Sequence, residues 1–504
     1  MINYRGYHSI MTLNTAIYRL INTIILLSLS ATLTAGPWIE TGDARLRHHI
    51  QLLADRHIIT VPITTWPLMW SGVANDIQQA NTSQLDQQTL WSLRYVRFAF
   101  QQQTGKNLRV NGEITVGNDI NALRTFSDNR REKAEAKAAI DWLGDKLAVH
   151  LVANYSDDPD DGDDYRVDGS YLSYKLGNWA LAAGAIDRWW GPAWHSGLIL
   201  SNNARPIPGL SLQRNHSKAF KSRWLSWIGP WQATAFAGQL ESERAIPDAY
   251  LLGGRINFKP SPNLEIGLAR TAQWGGEGRP QNGSTLKDLI LGNDNRGDDD
   301  IDQSNEPGNQ LASVDLRYSF ALNHSSNAIY GQFTGEDESQ GMPSRGIVQL
   351  GLESSFLYRD IQHRIILEAS DTTASSYGDD RPNYAYEHAI YKDGYRYKGR
   401  PIGASMDNDS RQITLAADHY LGNGHQLSWS IASLKINSDN TNATATGGSR
   451  FGDGVDLKTA SLSYHLPVSD HWLISAGLHY ASESYFYNNQ ELESGGNVTL
   501  KFKY

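Results

Sequence analysis

The chain ends in Val498-Thr499-Leu500-Lys501-Phe502-Lys503-Tyr504, in which apolar and polar residues alternate without a break. Side chains in a strand point to opposite faces with a period of two, so the four apolar residues share one face and the three polar residues share the other. An apolar outer face and a polar inner face are typical of a β-barrel wall in lipid, although a soluble sandwich could bury the same apolar face. The stretch therefore predicts a strand with two chemically different faces.

Similar alternating segments follow one another from Leu108 to the end of the chain. Two of them place these apolar residues on one face: Trp472, Ile474, Ala476, Leu478 and Tyr480 in one segment, and Ala460, Leu462, Tyr464 and Leu466 in the other. Repeated short strands of this kind predict an all-β architecture for residues 107–504.

The connections between these segments alternate between short turns, such as Leu143-Gly144-Asp145-Lys146, and nine long loops. The long loops lie at about 121–130, 157–164, 189–220, 242–247, 275–309, 336–345, 372–408, 437–455 and 483–494. Short periplasmic turns and long external loops are the rule in outer-membrane barrels. Nine long loops, each after an odd-numbered strand, predict a transmembrane barrel of about 18 antiparallel strands, provided that residues 189–220 form one loop.

Residues 1–35 have the pattern of an export signal. Arg19 precedes a short apolar core at residues 24–29 and small residues at 31–35, which predicts cleavage before Gly36. No later segment reaches the roughly 18 consecutive apolar residues of a transmembrane helix. A membrane location therefore requires a closed barrel.

The composition limits the class of protein further. The absence of cysteine excludes a disulfide scaffold and a thiolate metal site. The net charge of -9 argues against nucleic acid as a partner. A mean hydropathy of -0.47 is compatible with a barrel wall, in which only alternate residues are apolar, and 15 Trp and 24 Tyr suit aromatic girdles at the membrane surfaces.

Residues 36–106 have a helical pattern instead. Leu46, Ile50 and Leu53 recur at helical spacing within residues 43–56, with Thr41 as the expected N-cap, and a second helix is expected over about 83–103. Prolines keep residues 61–70 out of a helix interior. A unit of about 70 residues buries too little surface to be stable alone, so we expect this periplasmic helical domain to pack on the barrel.

One long loop contains an unusual segment, Arg188-Trp189-Trp190-Gly191-Pro192-Ala193-Trp194-His195-Ser196-Gly197-Leu198-Ile199-Leu200-Ser201-Asn202-Asn203-Ala204-Arg205-Pro206-Ile207-Pro208. This signature segment, residues 188–208, resembles the signature of the Wzi capsule-assembly family of outer-membrane proteins, as does the early stretch from Asp43 to Leu68. The resemblance covers essentially the whole mature chain. The terminal strand also looks like the signal that the outer-membrane barrel-assembly machinery recognises, which makes that machinery an expected partner.

The resemblance implies an 18-stranded barrel whose lumen is plugged by helices from the periplasmic side and by inward-folded loops from outside. It also implies a lectin-like outer-membrane protein, not itself the export pore, that helps to retain capsular or another surface polysaccharide after a separate machine has exported it. That the chain is not an enzyme is expected from its lack of catalytic motifs. We expect a monomer without a required cofactor, whose other partners are outer-membrane lipids and lipopolysaccharide.

Two interpretations of the signature segment stay open at this stage. Its prolines and glycines exclude a strand, and its apolar residues 198–200 escape water only if the loop folds into the lumen. In the first interpretation the segment is a rigid lumen seal, formed by Arg188, Trp189, Trp190, Gly191, Pro192, Trp194, His195, Asn202, Asn203, Arg205 and Pro206. In the second, Trp189, Trp190, Trp194 and His195 contact the sugar directly.

The loop at 372–408 is the predicted polysaccharide-binding surface. It interleaves tyrosines with basic residues: Tyr384, Tyr386, Tyr391, Lys392, Tyr395, Arg396, Tyr397, Lys398 and Arg400. A tyrosine offers a flat apolar face and a hydroxyl that suit a pyranose, and an arginine can bind the carboxylate of an acidic sugar with two hydrogen bonds. Alternatively, the tyrosines belong to the outer aromatic girdle and the bases contact lipopolysaccharide phosphates.

Two loops are densely acidic, one at residues 157–164 and one at residues 293–302. The first supplies a candidate site for structural Ca²⁺, formed by Asp157, Asp158, Asp160, Asp161, Asp163 and Asp164. Neither loop has the spacing of an EF-hand, and charge runs are commonly just solvated. A third interpretation is that divalent ions bridge these carboxylates to an anionic polymer.

The sequence contains no His-Glu-x-x-His motif, no Gly-x-Ser-x-Gly elbow and no phosphate-binding glycine loop. A diffusion porin is the main alternative to the anchoring function, because a porin can have the same barrel size. An outer-membrane hydrolase is a minor alternative.

Overall fold

A computed structural model of the chain describes residues 38–104, 108–291, 308–336, 345–374, 383–440 and 449–504. Its main feature is a closed barrel of 18 antiparallel wall strands, which confirms the predicted fold class. The wall strands are β1 Leu108–Gly117, β2 Ala134–Leu143, β3 Leu147–Asp157, β4 Tyr165–Arg166 with Tyr171–Leu176, β5 Trp179–Ala185, β6 Pro208–Arg214, β7 Trp231–Gln239, β8 Tyr250–Ser261, β9 Leu264–Trp274, β10 Gly308–Leu322, β11 Ser325–Glu336, β12 Gly346–Tyr358, β13 Ile361–Asp371, β14 Arg411–Leu421, β15 Gln426–Ile436, β16 Val455–Pro467, β17 Trp472–Ala481 and β18 Gly495–Lys503. We call the end of the barrel with the short turns the turn end, and the opposite end the loop end.

The last strand closes the barrel against the first. In this seam Val498 pairs with Val116 and Lys503 with Asn111. Val498 and Leu500 point outward and are exposed, whereas the inward Thr499 shares a 2.9 Å hydrogen bond with the hydroxyl of Thr115. The period-two pattern of the terminal strand is therefore confirmed in both faces.

The outward faces of the wall strands form the apolar surface that a barrel presents to lipid. Leu268, Leu316, Ile329 and Leu350 belong to this exposed surface. Exposed aromatic side chains cluster near the two ends of the wall: Tyr174, Trp224, Trp227, Tyr318, Tyr358, Trp472 and Tyr504 at the turn end, and Tyr155, Tyr165 and Tyr480 at the loop end.

The loop that contains the signature segment is shorter than predicted. The sequence predicts one loop over 189–220, but β6 begins at Pro208, and residues 215–230 form a turn-end connection that includes a 3₁₀ turn at Ser226–Ile228. Proline is tolerated at the first position of a strand because its missing N–H is not needed there. The strand count is unaffected by this shift.

Four helices are described: α1 Ala44–Asp55, α2 Trp70–Gln79, α3 Gln87–Thr104 and α4 Gly283–Leu291. The N-cap of α1 is Asp43 and not Thr41, because the Asp43 carboxylate accepts the hydrogen bond from the Leu46 N–H at 2.9 Å. Helix α2 is absent from the sequence prediction. None of the described helices is both long and apolar enough to cross a membrane.

The helices α1 to α3 close the lumen at the turn end. Asp55 at the end of α1 forms an ion pair with Arg317 of β10, and Gln87 donates to Asp360 in the β12–β13 turn at 3.0 Å. The helical region therefore plugs the barrel, as the family resemblance implies. The predicted export signal lies outside the described residues.

Candidate functional site

The plug and the signature segment form one continuous structure inside the lumen. Residues 65–66 pair in an antiparallel bridge with residues 189–190, which places Trp66 opposite Trp189. Both indole rings are buried and contact the edge or face of Phe126 at centroid distances of 5.2 and 5.6 Å. The layer that fills the lumen thus combines the N-terminal region, the loop after β1 and the loop after β5.

Arg47 of α1 is the polar connection between the plug and this layer. Its guanidinium donates to the carbonyl oxygens of Pro192 and Ala193 at 2.7 and 2.9 Å. The same group lies 3.9 Å from the centroid of the Trp194 ring and 4.2 Å from that of Phe126. A fully buried guanidinium is tolerated here because carbonyl oxygens and aromatic faces both stabilise the cation.

Two glutamates of the barrel wall hold the lumen structure through its backbone. The Glu368 carboxylate of β13 accepts from the N–H groups of Trp194 and His195 at 2.6 and 2.9 Å, and from the Tyr330 hydroxyl at 2.7 Å. The Glu265 carboxylate of β9 accepts in the same way from Ile63 and Thr64. Each wall carboxylate therefore accepts from two consecutive backbone N–H groups that are not part of a β-ladder.

The predicted seal residues of the signature segment lie in the interior of the protein. His195 and Arg205 are half-buried, and the other nine are buried: Arg188, Trp189, Trp190, Gly191, Pro192, Trp194, Asn202, Asn203 and Pro206. The apolar residues 198–200 are buried with them. This placement favours the seal over direct contact of the three indole rings with sugar, and the role assigned to these residues stays a prediction.

The loop between β13 and β14 folds over the signature segment in its described residues, 372–374 and 383–410, and we call these residues the cap loop. Three of its tyrosines are buried and donate their hydroxyl groups to backbone carbonyls: Tyr386 to Leu198 at 2.6 Å, Tyr395 to Ile199 at 2.9 Å and Tyr391 to Gly275 at 3.1 Å. They lie inside the cap and therefore form no part of a lipid-facing girdle. The hydroxyls of Tyr386 and Tyr395 hold the cap loop on the signature segment, and that of Tyr391 joins it to the loop after β9.

The basic residues of the cap loop are also largely engaged within the protein. The buried Arg396 guanidinium contacts both carboxylate oxygens of Asp407 at 2.7 and 3.0 Å and also reaches Glu387 at 2.6 Å. Arg400 donates to the carbonyl oxygens of Asn121 and Arg131. Of the nine residues predicted to bind polysaccharide, only Lys392 is exposed, Tyr384 and Lys398 are half-buried, and Tyr397 is buried with the remainder.

The acidic loop after β3 is paired with cations of the protein itself. Arg205 contacts Asp161 and Asp163 at 2.7 Å each, and Arg166 contacts Asp161 at 2.8 Å. The hydrogen bond from Lys398 is the main reason that the pKa of Asp163 is lowered, with Arg205 adding to it. These pairs join the acidic loop, the signature segment and the cap loop.

The predicted calcium site receives no support from this arrangement. Within the described ranges no group of three or more acidic or histidine side chains is placed to hold a metal ion. Asp157, Asp158 and Asp164 are exposed, and Asp160 accepts from Asn488 and Gln490. The second acidic run, at 293–302, lies outside the described residues.

A polar cavity of about 110 Å³ lies between the N-terminal residues 38–41 and the wall strands β2 to β4. Its lining includes Trp38, Arg131, Lys137, His150, Asp168 and Tyr171. Such a volume has room for several water molecules between charged groups. It does not have the dimensions of a passage for a polymer.

Three residues that matter to this site are missing from the sequence prediction: Arg47, Glu265 and Glu368. Inward positions of a barrel are polar as a rule, so nothing in the pattern distinguishes these two glutamates from their neighbours. Arg47 lies on a helix that is buried on nearly all sides, and the carbonyl oxygens to which it donates are more than 140 residues away in sequence.

Comparison with known proteins identifies a family, a relative in sequence and a solved structure of the same architecture. The family model described as capsule assembly protein Wzi matches residues 121–496. A Klebsiella pneumoniae protein described as an uncharacterized 55.8 kDa protein in the cps region is 32% identical over 426 residues, which cover 84% of this chain and 82% of that protein. Wzi of Escherichia coli, described as a carbohydrate-binding β-barrel of the outer membrane involved in group 1 capsule assembly, superposes with a TM-score of 0.80 at 27% identity, covering 92% of this chain and 99% of that structure.

Proposed function

The chain belongs to the family of the capsule assembly protein Wzi, and on this premise we propose that it binds a surface polysaccharide at the loop end of its barrel and anchors that polymer at the cell surface. The E. coli relative is described as carbohydrate-binding, and the proposal extends that property to this chain. The proposal contains no catalytic step.

The filling of the lumen is the observation that carries the proposal. A porin of 16 to 18 strands keeps an aqueous channel. Here the turn end is occupied by α1 to α3, and the loop end by the signature segment and the cap loop, which share a buried apolar cluster that includes Trp190, Ile199 and Tyr386. A protein with this interior is suited to holding a polymer outside the membrane and not to conducting solutes through it.

We assign the proposed contact surface to Tyr384, Lys392 and Lys398. Among the nine cap-loop candidates these three are at least partly exposed, Tyr384 through its ring and not through its buried hydroxyl, and the two lysines carry the ammonium groups that an acidic sugar would attract. The Lys398 ammonium group forms an ion pair with the Asp163 carboxylate at 2.8 Å, so Lys392 is the cation more available to a ligand. The buried tyrosines and arginines of the cap loop would act indirectly, by fixing the shape of this surface.

The test compares the double variant Tyr384→Ala, Lys392→Ala with the wild type in binding of purified surface polysaccharide to the detergent-solubilised barrel. We expect binding to weaken at least tenfold, since a hydrogen bond to a charged group contributes about 1.5–3 kcal/mol. Lys221→Ala, an exposed lysine in the turn-end connection, is the matched control and should bind normally. Unchanged binding by a double variant that keeps its heat-modifiable barrel would remove this surface from the proposal.

The proposal has three further parts. The chain is exported through a cleaved signal at residues 1–35, it is divided into a helical domain at 36–106 and a barrel at 107–504, and it contacts the barrel-assembly machinery. N-terminal sequencing of the mature protein tests the predicted cleavage before Gly36.

A further inference from the structure

The outer surface of β12 to β16 changes from charged to apolar in regular steps from the loop end downward. The strand register places Val348, Asp371, Arg411, Lys435 and Asp456 in the row nearest the loop end. The next row contains Leu350, Ala369, Ile413, Ser433 and Lys458. The third row is wholly apolar: Leu352, Leu367, Leu415, Ile431 and Ala460.

A groove runs across the first two of these rows, directly above the third. The small side chains Ala369 and Ser433 lie between the larger side chains of Leu350, Ile413 and Lys458, and the resulting depression has a volume of about 580 Å³. Neighbouring strands lie about 4.8 Å apart, so the four intervals between five strands span about 19 Å. This width accommodates several acyl chains side by side, whereas a single chain would fill only part of it.

Some charged side chains at the loop-end edge of the groove form ion pairs with other residues and others do not. Arg411 is paired with Asp371 at 2.9 Å and donates to the Thr373 hydroxyl at 3.1 Å. The ammonium groups of Lys435 and Lys458 have no hydrogen bond or ion pair to any residue in the described part of the chain, and both side chains are exposed. Asp456 lies beside Lys435 in the register and is the one carboxylate of these rows without a basic partner among the described residues.

We propose that this groove binds a phosphorylated, multiply acylated glycolipid of the outer leaflet. Lys435 and Lys458, with Arg411 beside them, would contact its phosphate groups, and the acyl chains would lie along the second and third rows. Two cations with no partner among the residues that the structure describes, above the wholly apolar third row, match a ligand whose anionic head group is covalently joined to hydrocarbon. The site faces lipid on the outside of the wall, so it is separate from the proposed polysaccharide surface of the cap loop.

The test measures retention of a defined bis-phosphorylated glycolipid by native mass spectrometry after reconstitution and detergent extraction. The double variant Lys435→Gln, Lys458→Gln should retain it on the order of tenfold less, because each lysine near an anionic surface contributes appreciably to binding. Asp456→Asn should retain it more strongly, since the change removes a nearby negative charge. The double variant Lys218→Gln, Lys221→Gln, with two exposed lysines at the turn end, is the matched control and should behave as wild type.

Three outcomes would overturn the inference. One is equal retention of the glycolipid with and without its phosphates. Another is equal retention by wild type and the Lys435, Lys458 double variant, both with intact heat-modifiable barrels. The third is equal retention of phosphatidylglycerol and the glycolipid, which would reduce the site to general attraction of anionic lipid.

Discussion

The Glu368→Gln variant isolates the carboxylate that holds the signature segment to the wall. In the wild type, one carboxylate oxygen accepts from the Trp194 N–H and the Tyr330 hydroxyl, and the other accepts from the His195 N–H. Glutamine has a single accepting oxygen, and its NH₂ group would face a donor. At least one of the three hydrogen bonds is therefore lost, whichever way the amide is turned.

The expected cost is about 3 kcal/mol, because a hydrogen bond to a charged acceptor contributes about 1.5–3 kcal/mol and an unsatisfied buried donor costs about 1–3 kcal/mol. At 1.4 kcal/mol for each factor of ten, this raises the population with a released signature segment about a hundredfold. The wall should remain intact, since its strand ladder does not involve this side chain.

The assay is single-channel conductance in planar bilayers. We expect the wild type to open rarely and Glu368→Gln to open in frequent short events, with an open fraction about a hundredfold higher. Glu277→Gln, at an exposed loop position, is the control for the loss of one negative charge and should resemble the wild type. A Glu368→Gln protein as silent as the wild type, with a heat-modifiable barrel, would refute the assignment of this carboxylate as an anchor of the seal.

Two further predictions concern the cap loop and the plug. Burial raises the pKa of Asp409 to about 7, with Asp439, Glu387 and Asp407 adding to the effect, so the folded cap loop holds a proton that the unfolded chain releases near pH 4. The stability of the cap loop should fall as pH rises from about 4 to 7 and level off above pH 7. The stability of Asp409→Asn should not change over this range and should exceed that of the wild type at pH 8. Limited proteolysis of the cap loop across this pH range measures both, and a wild-type stability that does not change with pH would contradict the prediction. Arg47→Met leaves the carbonyl oxygens of Pro192 and Ala193 without their donor at nearly unchanged volume, and should loosen the plug by about 3 kcal/mol. Hydrogen exchange in α1 measures this change against Arg94→Met, an exposed site on α3, and equal protection in the two variants would exclude the role of Arg47.

The wall is the part of the fold that the sequence predicts best. Lipid contacts every outward side chain and the packed lumen contacts every inward one, so the two environments impose a period of two on each strand. The terminal strand illustrates this, since Leu500 is outward and Thr499 is inward as the pattern requires. The strand at Pro208–Arg214 is missed because its proline and its closeness to the signature segment make it look like loop.

Helix α2 is missed for a similar reason. Pro62 and Pro67 mark residues 61–70 as non-helical, but both precede the first helical residue, Trp70, and so do not interrupt the helix. The prolines therefore limit where α2 begins, without excluding a helix after them.

The interior of the cap is beyond local sequence reasoning. Tyrosines interleaved with arginines fit a sugar-binding surface as well as they fit a buried layer, because a phenol can stack on a sugar or donate to a carbonyl. The choice depends on where the acceptors are, and the carbonyl oxygens that receive the hydroxyls of Tyr386 and Tyr395 lie 188 and 196 residues away in sequence. Pattern alone cannot show such distant partners.

The bridge between residues 65–66 and 189–190 also restricts how this protein can be recombined with its relatives. An insertion of one residue on either side of the bridge would turn Trp66 or Trp189 to the opposite face. In a chimera that exchanges the signature segment alone, Trp66 and Trp189 would come from different proteins, and their pairing register would not be matched. Residues 61–69 and 188–208 must therefore be exchanged together in any such chimera.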